Sequence, residues 1–203
     1  MRTKYQVALR SLYAVVAILL LSSCGSGSSF DQLVASRRSV RSYDATKTIT
    51  EDEVRTLMAT AQEAPSWANV QGTRYYVVMS EEKREALKPI MGQNARNIAD
   101  VPVVIITTFK RGQSGFFDGE ASDELGDSWG AFDNGLSNAF LILKAKDMGF
   151  DTLIMGLRDA DGLHNLLSIP SDEAVTSVMA LGYAKDRPRR PERKELYEIV
   201  KFF

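Results

Sequence analysis

The chain of 203 residues holds one cysteine, Cys24, and one histidine, His164. A disulfide within the chain is therefore impossible. A structural zinc site, which needs several Cys and His ligands, is excluded, and no metal site is expected. A Cys–His nucleophilic pair is disfavoured if Cys24 carries lipid, and a Ser–His triad would rest wholly on His164. That histidine lies in Asp161-Gly-Leu-His-Asn-Leu-Leu167 and reads as a helix-surface residue with no visible partner. Two glycine motifs are also missing: the Gly-x-Gly-x-x-Gly turn after a strand, and the Walker-type loop closing on Lys-Ser/Thr. A Rossmann or P-loop nucleotide site is not indicated. A chain this poor in nucleophiles and metal ligands either binds something or leaves the chemistry to a cofactor.

Acidic residues are absent from the first 23 positions, which instead carry Arg2, Lys4 and Arg10 ahead of the apolar run Leu12–Leu21. The run is too short to span a bilayer comfortably and reads as an export signal. It ends in Leu21-Ser22-Ser23-Cys24-Gly25, which resembles the bacterial lipobox, with Cys24 as the lipidated new N-terminus. An ordinary secretory signal or a buried cysteine is the plainer alternative. The expected organisation is a lipoprotein signal over 1–23, a flexible Ser/Gly tether over 24–30 and one domain over 31–203. This predicts an exported protein, anchored to a bacterial membrane and facing the periplasm. Of 25 Lys and Arg, three lie in the signal, so the mature chain has 22 bases against 26 acids, a charge of −4. That balance points to no nucleic-acid partner.

Along the domain, Asp31–Ser36 reads as a short helix. Thr50-Glu-Asp-Glu53 is a capping box, followed at helical spacing by Val54, Leu57, Met58 and Ala61, and that helix stops near Pro65. Tyr75–Met79 reads as a strand, and Ser80 caps a helix opening with Glu81 and Glu82. Val101–Thr108 is a continuous apolar strand, expected to be buried on both faces. Residues 111–127, rich in Gly, Ser, Asp and Glu, read as a long loop of the kind that forms lids. A long helix follows over Trp129–Met148, with Phe132, Leu136, Ala139, Phe140 and Leu143 on one stripe. Strands are predicted at Phe150–Met155 and Val175–Leu181, with a helix over Ala160–Leu167 between them.

Four segments carry candidate chemistry. Arg37-Arg38-Ser39-Val40-Arg41 offers three guanidiniums and a hydroxyl that could clamp a phosphate, although charge pattern alone favours a solvated basic face. Ala64–Gln71 is, taken alone, a loop with two amides. Gly149–Gly156 is a buried strand and a turn. Arg187–Lys194 is a basic, Pro-punctuated tail.

In this order and spacing the four segments resemble the FMN-dependent nitroreductase family. An Arg-Arg-Ser-x-Arg opening precedes a Pro-Ser-x-x-Asn-x-Gln loop, then an apolar strand, a long helix ending in Met-Gly-Phe, a strand and a Gly turn, a Gly-Tyr and a basic tail. The likeness spans residues 31–203. It implies an α+β fold, a three-layer α/β/α sandwich around a mixed, mainly antiparallel sheet, in a homodimer. It further implies that Arg37, Arg38, Ser39 and Arg41 hold the FMN phosphate, ribityl chain and pyrimidine edge. Pro65, Ser66, Trp67 and Asn69 would lie along the partner subunit's flavin. Asn94 and Asn97 would face its pyrimidine and ribityl side, and Met155 and Gly156 would present backbone to N5. Arg190, Arg193 and Lys194 would complete the phosphate site. Trp67, Phe116 and Phe117 would wall the acceptor pocket. The chain departs from many relatives at Gln71-Gly72-Thr73, where they have Gln-Pro-Trp, and its tail is unusually dense in base.

The activity implied is ping-pong reduction of nitroaromatics, quinones or similar electron-poor molecules by NAD(P)H or another donor. No protein acid or base is needed, and fixed charge, with Arg37 as candidate, stabilises the electron-rich cofactor. Two other readings compete: a flavin-dependent dehalogenase or ring-fragmenting relative, and a lipoprotein that binds flavin without turnover.

Overall fold

A computed structural model describes residues 30–203. The expected signal, Cys24 and nearly all of the tether lie outside the described residues. In chain order the elements are α1 (Phe30–Ser36), α2 (Glu51–Gln62), β1 (Thr73–Val78), α3 (Glu81–Leu87), β2 (Val103–Lys110), β3 (Phe116–Phe117) and β4 (Glu120–Ala121). They continue with α4 (Ser128–Asp147), β5 (Asp151–Met155), α5 (Ala160–Leu167), β6 (Glu173–Gly182) and α6 (Leu196–Ile199). Turns of 3-10 helix occupy Trp67–Asn69 and Lys88–Asn97. The compact unit described below runs from Ser36 to Phe203. Among the described residues no helix is long and apolar enough to cross a membrane.

The helix starts are set locally, as their caps foretell. The Thr50 hydroxyl accepts the Glu53 N–H at 3.2 Å while the Glu53 carboxylate accepts the Thr50 N–H at 2.7 Å, which satisfies two otherwise orphaned donors of α2. Ser80 and Asp159 do the same for α3 and α5, accepting from Lys83 N and Gly162 N. His164 lies on α5, half-buried, with Nδ1 3.0 Å from the Ile169 carbonyl oxygen, so its role is structural.

The sheet runs β1-β2-β6-β5, with every neighbouring pair antiparallel. A parallel bridge between Ser39 and Thr152 extends it past β5. Strand β2 begins at Val103 rather than Val101, since Pro102 has no N–H to give a ladder. Its alternation divides two cores. Val103 and Ile105, with Met179 and Leu181 of β6, pack against Leu57, Leu141 and Ala145 of α2 and α4. Val104 and Ile106, with Val178 and Ala180, pack against Leu87, Met91 and Leu163 on the opposite face. The result is the expected α/β/α sandwich.

Helix α4 departs from expectation. The stripe Phe132, Leu136, Ala139, Phe140, Leu143 points outward, with Phe132 and Phe140 56% and 38% exposed. The face turned inward carries Asp133, Asn134, Ser137 and Asn138 ahead of Leu141 and Ala145. Burial of these polar groups is tolerable because nearly all find partners, the Asn138 Oδ1 being the exception. Asn134 Nδ2 donates to the Thr108 carbonyl at 3.1 Å, and its Oδ1 accepts from Thr176 Oγ1 at 2.6 Å and from Thr107 Oγ1 at 3.2 Å. Ser137 Oγ donates to the Ala61 carbonyl at 2.8 Å. The Thr176 donor is available because the β2–β6 register shifts between Thr107 and Thr108, leaving Thr176 as the extra residue of a bulge.

Close approach of α4 to β2 depends on Gly130. A Cβ there would lie 2.2 Å from Phe109 Cδ2, and Phe109 is only 6% exposed. Gly130→Ala is expected to cost about 1–3 kcal/mol by overpacking, and Phe109→Leu in the same chain to recover part of it. Equal denaturant midpoints for Gly130→Ala and the wild type would contradict this packing.

Candidate functional site

The basic opening is held by its apolar members. Val40 is buried, its N–H donates to the Thr152 carbonyl at 3.1 Å, and Tyr43 OH donates to the Val40 carbonyl at 3.0 Å. Ser39 and Arg41 are thereby left on the exposed side of the strand-like segment. The tail returns to the same place. Partial burial, then the guanidiniums of Arg190, Arg187, Arg37 and Arg193, pull the Arg38 guanidinium below its ordinary range. Arg38 also lines a cavity of about 400 Å³ with Lys146, Asp151, Lys185 and Arg187. Among the described residues, the tail arginine paired with a carboxylate is Arg189, 3.6 Å from Glu192. Clustered guanidiniums make this a candidate site for an anion. Arg190 and Arg193 thus join the cluster, and Arg187 must be added to it. Lys194 is exposed and is not among the charges acting on Arg38.

A second group lies just past the far end of β5. Met155 is buried and Gly156 exposed. Arg158 clamps the turn, donating to the Gly156 carbonyl at 2.6 Å and to the Val175 carbonyl. Asn94 Nδ2 donates to the Leu157 carbonyl at 2.8 Å, and Asn97 Nδ2 donates to Asn94 Oδ1 at 2.9 Å. Asn94 therefore bonds the chain just past the Gly156 turn, with Asn97 behind it. Arg158 was not foreseen, and in sequence nothing separates it from any other surface arginine.

The third group is the loop after α2. Ala68, Asn69 and Gln71 all have left-handed backbone, φ 44°, 57° and 53°, at about 1–2 kcal/mol each for non-glycine residues. Bonds within the loop hold it: Ser66 Oγ accepts from Gln71 N at 2.9 Å, and the Ser66 carbonyl from Asn69 N at 3.0 Å. Both oxygens of buried Asp133 accept the Trp67 N–H, at 3.1 and 3.0 Å. The Trp67 ring meets Phe117, centroids 4.7 Å apart. Phe116 does not share this wall. It packs toward Gly126 inside the hairpin, because neighbouring strand residues face opposite ways. The expected long loop is thus a β3–β4 hairpin turned by Asp118-Gly119, both with positive φ. An Asp-Gly pair between two-residue strands is a readable type I′ signal that the glycine-rich setting concealed.

Within one chain the first and third groups do not meet. Asp133, under the Trp67 loop, and Lys146, beside Arg38, sit near opposite ends of α4, about 20 Å apart at 1.5 Å per residue.

Comparison with known proteins agrees with this architecture. The profile of the Nitroreductase family matches residues 34–183, and the chain belongs to that family. Among its relatives, a Bacillus subtilis protein provisionally named NAD(P)H nitroreductase MhqN is 24% identical, over 85% of this chain and 98% of its own. Protein DrgA of Synechocystis is 24% identical, over 72% of this chain and 80% of its own. A provisionally assigned nitroreductase of Exiguobacterium sibiricum, solved in complex with FMN, superposes with TM-score 0.77 at 23% identity, covering 87% of this chain and 98% of that one.

Beneath the Pro65–Gln71 loop is a cavity of about 650 Å³, walled partly by Tyr75, whose hydroxyl lies 2.7 Å from Ser137 Oγ. Burial pushes the Tyr75 hydroxyl up to about 12, with the Ser137 contact opposing. A phenol that ionises near 10 when unfolded and near 12 when folded lends stability that is full below pH 10 and lost from pH 10 to 12. The denaturant midpoint should fall across that window, and less steeply in Tyr75→Phe. An unchanged slope in that variant would show that Tyr75 is not held protonated.

Proposed function

We propose that this chain is an FMN-dependent oxidoreductase, taking electrons from NAD(P)H or a comparable donor and passing them to nitroaromatics, quinones or similar electron-poor molecules. The observation that carries this is the convergence of Arg37, Arg187, Arg190 and Arg193 on Arg38, along the same strand edge that ends at the Gly156 turn. From Thr152 to Gly156 a strand covers about 13 Å, a length that an extended ribityl phosphate and its ring can bridge. The donor set fits FMN: guanidiniums and the Ser39 hydroxyl for the phosphate, amide-bearing Asn94 and the Gly156 backbone for the ring.

FMN supplies the chemistry when bound: it accepts hydride from the donor and yields the electrons to the acceptor. The protein binds and orients. Arg37, Arg38, Ser39 and Arg41, with Arg187, Arg190 and Arg193, hold the phosphate end. Arg158 and Asn94 fix the Gly156 peptide. Trp67 and Phe117 form the apolar wall against which a planar acceptor rests. Because the two ends of α4 carry different halves of the site, each flavin takes Pro65–Asn69 from a second copy. The outward stripe Phe132, Leu136, Phe140 supports such a homodimer.

Arg38→Ala should weaken FMN binding at least roughly tenfold, or about 1.4 kcal/mol, in a fluorescence titration, whereas Lys194→Ala should change it little. Holo protein should bleach with a nicotinamide or chemical donor and regain its colour with a quinone or nitroaromatic. Phe117→Ser should raise KM for the acceptor with flavin reduction nearly intact. Reoxidation by oxygen alone would favour a flavin-binding protein without turnover.

The lipobox likeness supports anchoring through Cys24. One acyl chain holds marginally and several hold stably, so Cys24→Ala should move the protein out of the membrane fraction. A soluble wild-type protein with a different N-terminus would overturn this.

A further inference from the structure

We propose that Asp133 is a positioning residue for the acceptor site, acting through the backbone of Trp67. This rests on the reading of the Trp67–Phe117 wall given above.

Asp133 is 3% exposed, and both of its oxygens accept one backbone N–H, that of Trp67, 66 residues away in sequence. A carboxylate accepting an N–H makes a stronger bond than a neutral acceptor does. The placement is costly unless the bond matters, since a buried carboxylate must be compensated.

What Asp133 holds is a segment that does not hold its own position. The bonds from Ser66 to Gln71 and to Asn69, and from the Trp67 carbonyl to Val70 N at 2.9 Å, close the loop on itself. They set its shape, with three left-handed residues in five, but not its place. Arg74 ties the far end to β1 by donating to the Gln71 carbonyl at 2.8 Å. Asp133 ties the near end to α4. The hairpin on the other side of the Trp67 ring is referenced to the same helix: Asp127, its N-cap, accepts from Gly112 N at 2.7 Å, and Trp129 Nε1 donates to Asp123 at 2.9 and 3.0 Å. Both aromatic partners of the wall are therefore tied to the first two turns of α4. Backbone strain of this kind persists only where the surroundings over-determine it, and it concentrates at functional sites. The chemistry of the substrate follows: the wall accepts a planar, apolar ring, and the carboxylate, spent on the Trp67 N–H, makes no direct contact with it.

The test separates contact from function. Hydrogen exchange of the Trp67 amide in the wild-type holoprotein should be slow, and in Asp133→Ala at least roughly tenfold faster. With a quinone as acceptor, Asp133→Ala should raise KM about tenfold while kcat stays within about twofold, the pattern of lost positioning for binding. Asp133→Asn, which keeps an acceptor oxygen, should recover most of both effects; a residue needed only for its charge would not show this rescue. A wild-type Trp67 amide that exchanges like an open loop overturns the proposal even if Asp133→Ala does not fold. So does an unchanged KM in Asp133→Ala, or an Asp133→Asn as impaired as Asp133→Ala. A protected Trp67 amide in a protein that reduces no acceptor would instead sink the oxidoreductase reading, and the acceptor role with it.

Discussion

Asn134 spends its entire side-chain amide inside the protein, on Thr107, Thr108 and Thr176, and thereby fixes the rotation of α4 about its axis. A helix docked only by apolar residues could roll by a fraction of a turn at small cost. One docked through an amide whose donor and acceptor both have partners cannot, because any roll strands buried polar groups at about 1–3 kcal/mol each. With that rotation set, Ser137 reaches the Ala61 carbonyl, Asp133 faces the loop after α2, and the apolar stripe has no choice but to face outward. The bulge at Thr176 is the matching half of the arrangement, since a regular β6 would not present that hydroxyl to Asn134.

Much of the fold is legible in the sequence wherever a local rule decides. The capping boxes, the β-branched run of β2 and the Gly-terminated β5 needed no tertiary information. Helix α4 is where local reasoning points the wrong way. Its five apolar residues form a stripe that any amphipathicity argument would bury, yet the face that packs is Asp133, Asn134, Ser137 and Asn138. Only the partners, on β2, β6 and the end of α2, make that face the inner one, and they lie tens of residues distant in sequence. The same limit applies at the site. Arginine clusters show as clusters, so Arg37–Arg41 and the tail stand out. Which tail members approach Arg38 depends on the path of the chain after β6. Arg158 and Asp133, each acting on a backbone group, have no signature at all. Phe116 and Phe117 show the opposite case: strand alternation would have separated them had Asp118-Gly119 been read as a turn.

Charge divides the protein's surface in a way that fits its proposed chemistry. The cation cluster gathers where Val40 and Tyr43 pin the chain to β5. Repulsion among its guanidiniums is of the sign that would favour the proposed phosphate. The acceptor side is built from rings and backbone, with strain in place of charge.

The β3–β4 hairpin closes through bonds of its own. Ser122 donates twice to the Gly115 carbonyl, from its N–H at 2.8 Å and its hydroxyl at 2.9 Å, while the tip at Gly119 has open space around it. Such a module can change length and composition at its tip without disturbing the two cores beneath. Substitutions at the tip should therefore disturb the folded domain little, whereas changes along β5 reach the sheet itself.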